Sequence, residues 1–158
     1  MKTASLKQIK TELSRHSDDR LMEIIIRLSK YKKENKELLT YLLFESDSED
    51  HYILEVKKLI DGDFEKLNSS SFYIAKKTIR KALRTTNKYI KYSGSKQTEV
   101  ELLIYFVSKL QHSGLEIKNS PVLLNMYQRQ LLKIEKSLSK LHEDLQFDYR
   151  YEIDDLEL

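Results

Sequence analysis

The chain has 158 residues but no cysteine, one proline and three glycines. Each scarcity excludes something. Without Cys there is no disulfide, no thiolate metal site and no Cys nucleophile. So few breakers cannot punctuate a strand-and-turn fold, which needs Gly or Pro at most reversals. No two of the glycines lie close together, so there is no glycine-rich phosphate loop. No run approaches the roughly 18 consecutive apolar residues of a membrane-spanning helix. The opening stretch MKTASLKQIKTELSR lacks the apolar run and small-residue cleavage site of a secretory signal, and a cytoplasmic location is expected.

What is present points to helices. Hydrophobic residues make up 40% and charged residues 34%, a balance that suits a folded and highly charged helical chain. The length fits one domain with a real core. Gly62, Gly94 and Gly114 each follow an apolar-periodic run, where a positive φ closes a helix at low cost. Ser120-Pro121 reads as an N-cap followed by Pro at the first helical position. The periodicity predicts helices over 5–15, 18–31, 33–45, 49–61, 70–92, 96–112 and 121–145, and no sheet. The expected fold is therefore all-α, with six or seven helices. Its arrangement is either an irregular HEAT- or armadillo-like repeat or a compact orthogonal bundle. Residues 1–145 are expected to form a single domain and 146–158 an acidic C-terminal tail.

Two helices read as central. Ile24, Ile25, Ile26 and Leu28 make 18–31 apolar over much of its circumference. Val100, Leu102, Leu103, Ile104, Phe106, Val107 and Leu110 do the same for 96–112. A helix apolar nearly all round must be covered on several sides. There is also an internal echo. Glu37-Leu38-Leu39-Thr40-Tyr41-Leu42-Leu43 is matched sixty-four residues later by Glu101-Leu102-Leu103-Ile104-Tyr105-Phe106-Val107. Either a helical hairpin is duplicated, or two Leu-rich amphipathic helices coincide.

The run from Lys30 to Glu45, KYKKENKELLTYLLFE, resembles a block from a family of small, uncharacterised, all-helical bacterial proteins. The resemblance covers residues 18–61. It implies a bacterial, helical, soluble protein and carries over no activity and no site residues.

Charge is segregated. Residues 66–98 hold nine Lys and Arg and no Asp or Glu, while the whole chain is only +3. On a helical wheel Phe72, Ala75, Ile79, Ala82, Leu83, Thr86 and Ile90 form one stripe. Lys77, Arg80, Lys81, Arg84, Lys88 and Lys91 form the opposite one. Like charges three and four apart destabilise a helix by a few tenths of a kcal/mol per pair, so this face calls for compensation. Three sources compete. Nucleic acid or another polyphosphate would gain from counterion release, with Tyr73, Tyr89 and Tyr92 placed for stacking. An acidic protein partner is the second. The third is the chain's own end: residues 143–158 carry seven Asp and Glu against Arg150, with Phe147, Tyr149, Tyr151 and Ile153 available to pin them to the basic helix.

Leu124, Tyr127, Leu131, Ile134, Leu138, Leu141 and Leu145 repeat at alternating spacings of three and four. That seam reads either as a coiled-coil-like dimer contact or as ordinary bundle packing. Catalytic signals are missing. His16, His51, His112 and His142 form no ligand pair and no known catalytic motif. Asp47-Ser48-Glu49-Asp50-His51 reads better as a helix cap with acids on the helix dipole than as a metal site. The expectation is a non-enzymatic helical protein-interaction or scaffold module, binding a protein partner or itself. The alternative is a nucleic-acid-binding accessory protein using the basic face of 70–92. No cofactor, metal or small-molecule substrate is expected.

Overall fold

The computed structural model describes residues 2–68 and 70–156. Among them there is no strand, and eight α-helices account for most of the chain. They are α1 (Leu6–Leu13), α2 (Asp18–Tyr31), α3 (Lys33–Thr40), α4 (Glu49–Phe64), α5 (Phe72–Ser93), α6 (Lys96–Gln111), α7 (Pro121–Leu138) and α8 (Glu143–Asp154). A π-helical turn, Tyr41–Glu45, follows α3, and a single 3-10 turn, Ile117–Asn119, precedes α7. No described helix is long and apolar enough to cross a membrane. The chain divides into two compact units, residues 1–44 and 45–158.

Local chemistry explains most boundaries. Ser5 caps α1 in a reciprocal capping box with Gln8, and Ser17 and Ser95 cap α2 and α6 through their hydroxyls. Gly94 ends α5 at φ 69°, the left-handed conformation expected of it. Gly62 does not end a helix. It lies inside α4, which runs two residues further, and that extra length carries Asp63 to α5. Ser48 and Ser120 stand at N-cap positions, but neither side chain makes a capping bond.

The larger unit is built around α6. Leu102, Leu103, Phe106, Val107 and Leu110 are fully buried, as expected from an all-round apolar helix. α4, α5 and α7 all pack on α6. α4 contributes Val56 and Ile60, α5 contributes Ala75, Ile79 and Ala82, and α7 contributes Leu123, Tyr127, Ile134 and Leu138. Phe64 meets Phe106 edge-on at 5.7 Å between ring centroids. Burial of a Leu, Ile or Phe contributes about 1.5–3 kcal/mol, so this layer dominates the unit's stability.

The other expected core helix is not one. α2 has no buried residue, and Ile25, Ile26 and Leu28 are each about half exposed. Its partner in the smaller unit is α3, a helix of eight residues, which cannot cover a helix apolar on several sides.

The C-terminal stretch also departs from expectation. The helix starting at Pro121 ends at Leu138, with Ser139 as C-cap, and a second helix, α8, begins at Glu143. Residues 143–156 are an ordered part of the larger unit, with Tyr149, Ile153 and Leu156 buried. Glu157 and Leu158, assigned to the tail in the sequence reading, lie outside the described residues.

Candidate interaction surfaces

Four features could carry function: the cationic face of α5, the seam of α7, a polar ladder between α4 and α6, and the apolar surface of the smaller unit.

α5 adopts the predicted register. Ala75, Ile79, Ala82, Thr86 and Ile90 are buried. Lys77, Arg80, Lys81, Arg84 and Lys91 are exposed, and Lys88 is half-buried with its Nζ 4.7 Å from the centroid of the Tyr89 ring. Lys81 pairs with Asp63 at 2.7 Å. Burial opposes ionisation of Asp63, but hydrogen bonds from Lys81 and Thr85 outweigh it and hold the carboxyl below its ordinary range. Among the described residues no carboxylate pairs with Lys77, Arg80, Arg84 or Lys91. The acidic end of the chain does not supply the compensation. It packs elsewhere: Arg150 pairs with Glu135 of α7 at 2.7 Å, the Gln111 amide of α6 donates to the Asp155 carbonyl at 3.1 Å, and Tyr127 of α7 donates to the Leu156 carbonyl at 2.7 Å. The expected stacking residues divide as well. Tyr89 sits edge-on between Tyr52 and Tyr92, and both Tyr89 and Tyr92 are half-buried. Tyr73 is exposed on 79% of its surface.

The α7 seam turns inward. Tyr127, Ile134 and Leu138 are completely buried within the unit, and Leu124, Leu131 and Leu141 are half-buried. Leu141 and Leu145 lie beyond the end of α7, so the third heptad is interrupted. Through its buried members the seam packs within the bundle, where α7 lies on α6.

The polar ladder was not foreseen. Lys57 and Asp61 on α4 face Glu101, Tyr105 and Lys109 on α6. Lys57 reaches Glu101 at 2.7 Å, Lys109 reaches Asp61 at 2.7 Å, and the Tyr105 hydroxyl stands 2.8 Å from both Asp61 oxygens. Both ammonium groups lie over the Tyr105 ring, 5.4 and 5.3 Å from its centroid. Burial, and then the Asp61 carboxylate, push the Tyr105 phenol above its ordinary pKa. The hydrogen bond to Asp61 raises that of Lys109. A phenol and an ammonium made harder to deprotonate, around a carboxylate that both engage, link α4 to α6. Within each helix the residues recur every fourth position, Lys57 and Asp61 on α4 and Glu101, Tyr105 and Lys109 on α6, but only their pairing across the two helices makes the ladder. A cleft of about 530 Å³ opens beside the ladder, walled by Lys57, Tyr105 and Gln111 on one side and Glu152 and Asp155 on the other.

The acid cluster before α4 is structural. Glu49 accepts hydrogen bonds from the hydroxyls of Ser93 and Thr98, tying α4 to the α5–α6 junction. His51 is exposed, and among the described residues no group of three His, Asp or Glu could hold a metal ion.

The smaller unit presents the opposite of a core. Among its described residues only Tyr41 is buried, while eleven large apolar side chains are exposed. Ile25, Leu28, Leu38, Leu39 and Leu42 line a groove of about 310 Å³ between α2 and α3, with Asn35 at its edge donating to the Leu28 carbonyl at 2.8 Å. A second concavity lies beside Ile24, Arg27, Lys30 and Tyr31. Residues 1–44 carry ten Lys and Arg against six Asp and Glu, a net +4. Three of those acids pair locally, with Arg15, Arg20 and Lys33.

Comparison with protein-family models, with curated proteins and with solved structures returns no match for this chain.

Proposed function

We propose that this protein is a non-enzymatic interaction module. In this reading the smaller unit, residues 1–44, captures an acidic amphipathic segment of another protein on the apolar surface of α2 and α3. One observation carries it: eleven large apolar side chains are exposed on a unit that buries one residue. Five apolar side chains, Ile25, Leu28, Leu38, Leu39 and Leu42, share one groove, and apolar surface gathered in this way marks interaction sites. The net +4 of residues 1–44 favours an acidic partner, and it also disfavours a second copy, which would bring the same charge. Micromolar binding requires about 8 kcal/mol. Completing the burial of four or five half-exposed aliphatic side chains contributes about 3–7 kcal/mol before the cost of association, so the partner's acidic groups and further contacts on the unit must supply the rest.

The scaffold reading accompanies this one. Successive helices pair, α4 with α5, α5 with α6 and α6 with α7, and an echo links residues 37–43 to 101–107. Both support an irregular HEAT- or armadillo-like arrangement, in which hairpins stack and their exposed faces bind.

A photo-crosslinking residue at Leu28 or Leu42, introduced into the full chain in its native host, tests the proposal. The expected product is a heterologous crosslink to an acid-rich segment, lost in Ile25→Gln and weakened in Arg27→Glu. Crosslinks to the protein itself, with a dimer in light scattering that Leu28→Gln dissolves, would overturn the choice of partner. No crosslink in either form would overturn the reading.

A further inference from the structure

The structure points to a second binding surface, independent of the first and on the other unit. We propose that the exposed face of α5 binds single-stranded nucleic acid without reading its sequence. Lys77, Arg80, Lys81, Arg84 and Lys91 stand exposed within one arc of the helix. At a rise of about 1.5 Å per residue, Lys77 and Lys91 are about 21 Å apart along the axis, with Arg80, Lys81 and Arg84 within about 11 Å of Lys77 and a gap of about 10 Å before Lys91. Four of the five have no carboxylate partner among the described residues, and only Lys81 is engaged, by Asp63. The chain's own acidic end is committed to α6 and α7 and leaves this face uncovered.

Three further features choose the ligand. Tyr73 lies one turn before Lys77 on the same stripe with its ring largely exposed, which gives an unpaired base a surface to stack on. Asn87, the amide nearest this face, is occupied on both sides: it donates to the Leu83 carbonyl and accepts from Lys133. It is therefore withheld from reading base edges, and the Lys and Arg that remain can each reach phosphate oxygens. Finally, the charges are held against their own repulsion. Like charges at these spacings weaken a helix, so neutralising them should not harm the fold unless they hold it together.

Fluorescence anisotropy of the full chain with a labelled short oligothymidylate, over a salt series, tests the proposal. Binding at low salt is expected, with a log–log slope near −2.8, about −0.7 for each of four neutralised phosphates. The double variant R80Q/R84Q should bind more weakly and lose about half of that slope. Tyr73→Ala should lower affinity about 5- to 100-fold with the slope unchanged, the effect of one lost stacking contact. Neither variant should lower the melting temperature. R27Q/K30Q, on α2, should bind as the parent does; this separates the α5 face from the charge of the smaller unit. Absence of binding at low salt overturns the proposal. So does an R27Q/K30Q loss equal to that of R80Q/R84Q, tighter binding of a duplex of the same length, or equal binding of labelled polyglutamate.

Discussion

The phenol of Tyr127 donates a hydrogen bond to the main-chain carbonyl of Leu156, 2.7 Å away, and joins the middle of α7 to the last described residue. Tyr127 is completely buried and Leu156 nearly so. This contact holds the acidic end of the chain in the larger unit, away from the basic helix that attracts it on charge alone. Tyr127→Phe keeps the ring and removes the donor. It should cost about 1–2 kcal/mol, because the Leu156 carbonyl is left buried without a partner. Urea denaturation reads the loss, and faster amide exchange confined to 143–156 would show where it acts.

The same phenol predicts an alkaline limb. Burial pushes its pKa up to about 12. The neutral form is favoured in the fold, so its contribution is complete below the unfolded value of about 10 and is lost as pH rises toward the folded one. Two pKa units correspond to about 2–3 kcal/mol. Wild type should therefore lose more stability than Tyr127→Phe across this window, and parallel curves would show that the phenol ionises without unfolding anything.

The acid limb runs the other way. Asp63 and Glu99 are both held below their ordinary values: burial opposes this, but hydrogen bonds from Lys81 and Thr85, and from Lys96 and Lys133, prevail. A depressed carboxyl contributes stability above its unfolded pKa and loses it as pH falls through the folded one. As pH falls below about 4.5, the ordinary carboxyl range, the wild type should lose stability more steeply than D63N/E99Q. Urea midpoints across that range provide the comparison.

Two glycines separate what composition shows from what packing decides. Both read as helix ends. Gly94 is one, at φ 69°, whereas Gly62 is interior to α4, and a Cβ built there meets nothing within 4 Å. Gly62→Ala should stabilise by about 0.5–1 kcal/mol through helix propensity. Gly94→Ala should destabilise by about 1 kcal/mol, because an L-residue resists the left-handed conformation. Thermal melts of the two variants should move in opposite directions.

The legible parts of this fold are local ones. The register of α5 followed from Ala75, Ile79 and Ala82 lying opposite Arg80 and Arg84, and the burial of α6 from an apolar run no single face could hold. Decisions between distant residues were not legible. α2 carries three consecutive isoleucines, as a core helix does, yet periodicity cannot report that its partner α3 is too short to cover it. The seam continued in spacing past Leu138, but the chain turned there, because Tyr149, Ile153 and Leu156 bury only if α8 folds back. The ladder of Lys57, Asp61, Glu101, Tyr105 and Lys109 needs two helices brought into step across forty-four residues, and neither helix shows it by itself.

Lys133 makes the same point as an experiment. Its ammonium stands 3.2 Å from Glu99 of α6 and 2.7 Å from the Asn87 carbonyl oxygen of α5, so one side chain of α7 ties three helices. Lys96 also pairs with Glu99, at 2.5 Å, but from one turn away on the same helix. Lys96→Met should cost less than about 1 kcal/mol, as for other partly exposed pairs. Lys133→Met should cost about 1.5–3 kcal/mol, since a nearly buried carboxylate keeps only the Ser137 hydroxyl as a partner on α7 and Asn87 loses its donor. In a double-mutant cycle with Glu99→Gln, the Lys133 coupling should exceed that of Lys96. Equal couplings would mean that Glu99 is satisfied within α6 and that the α5–α6–α7 junction is held by apolar packing alone.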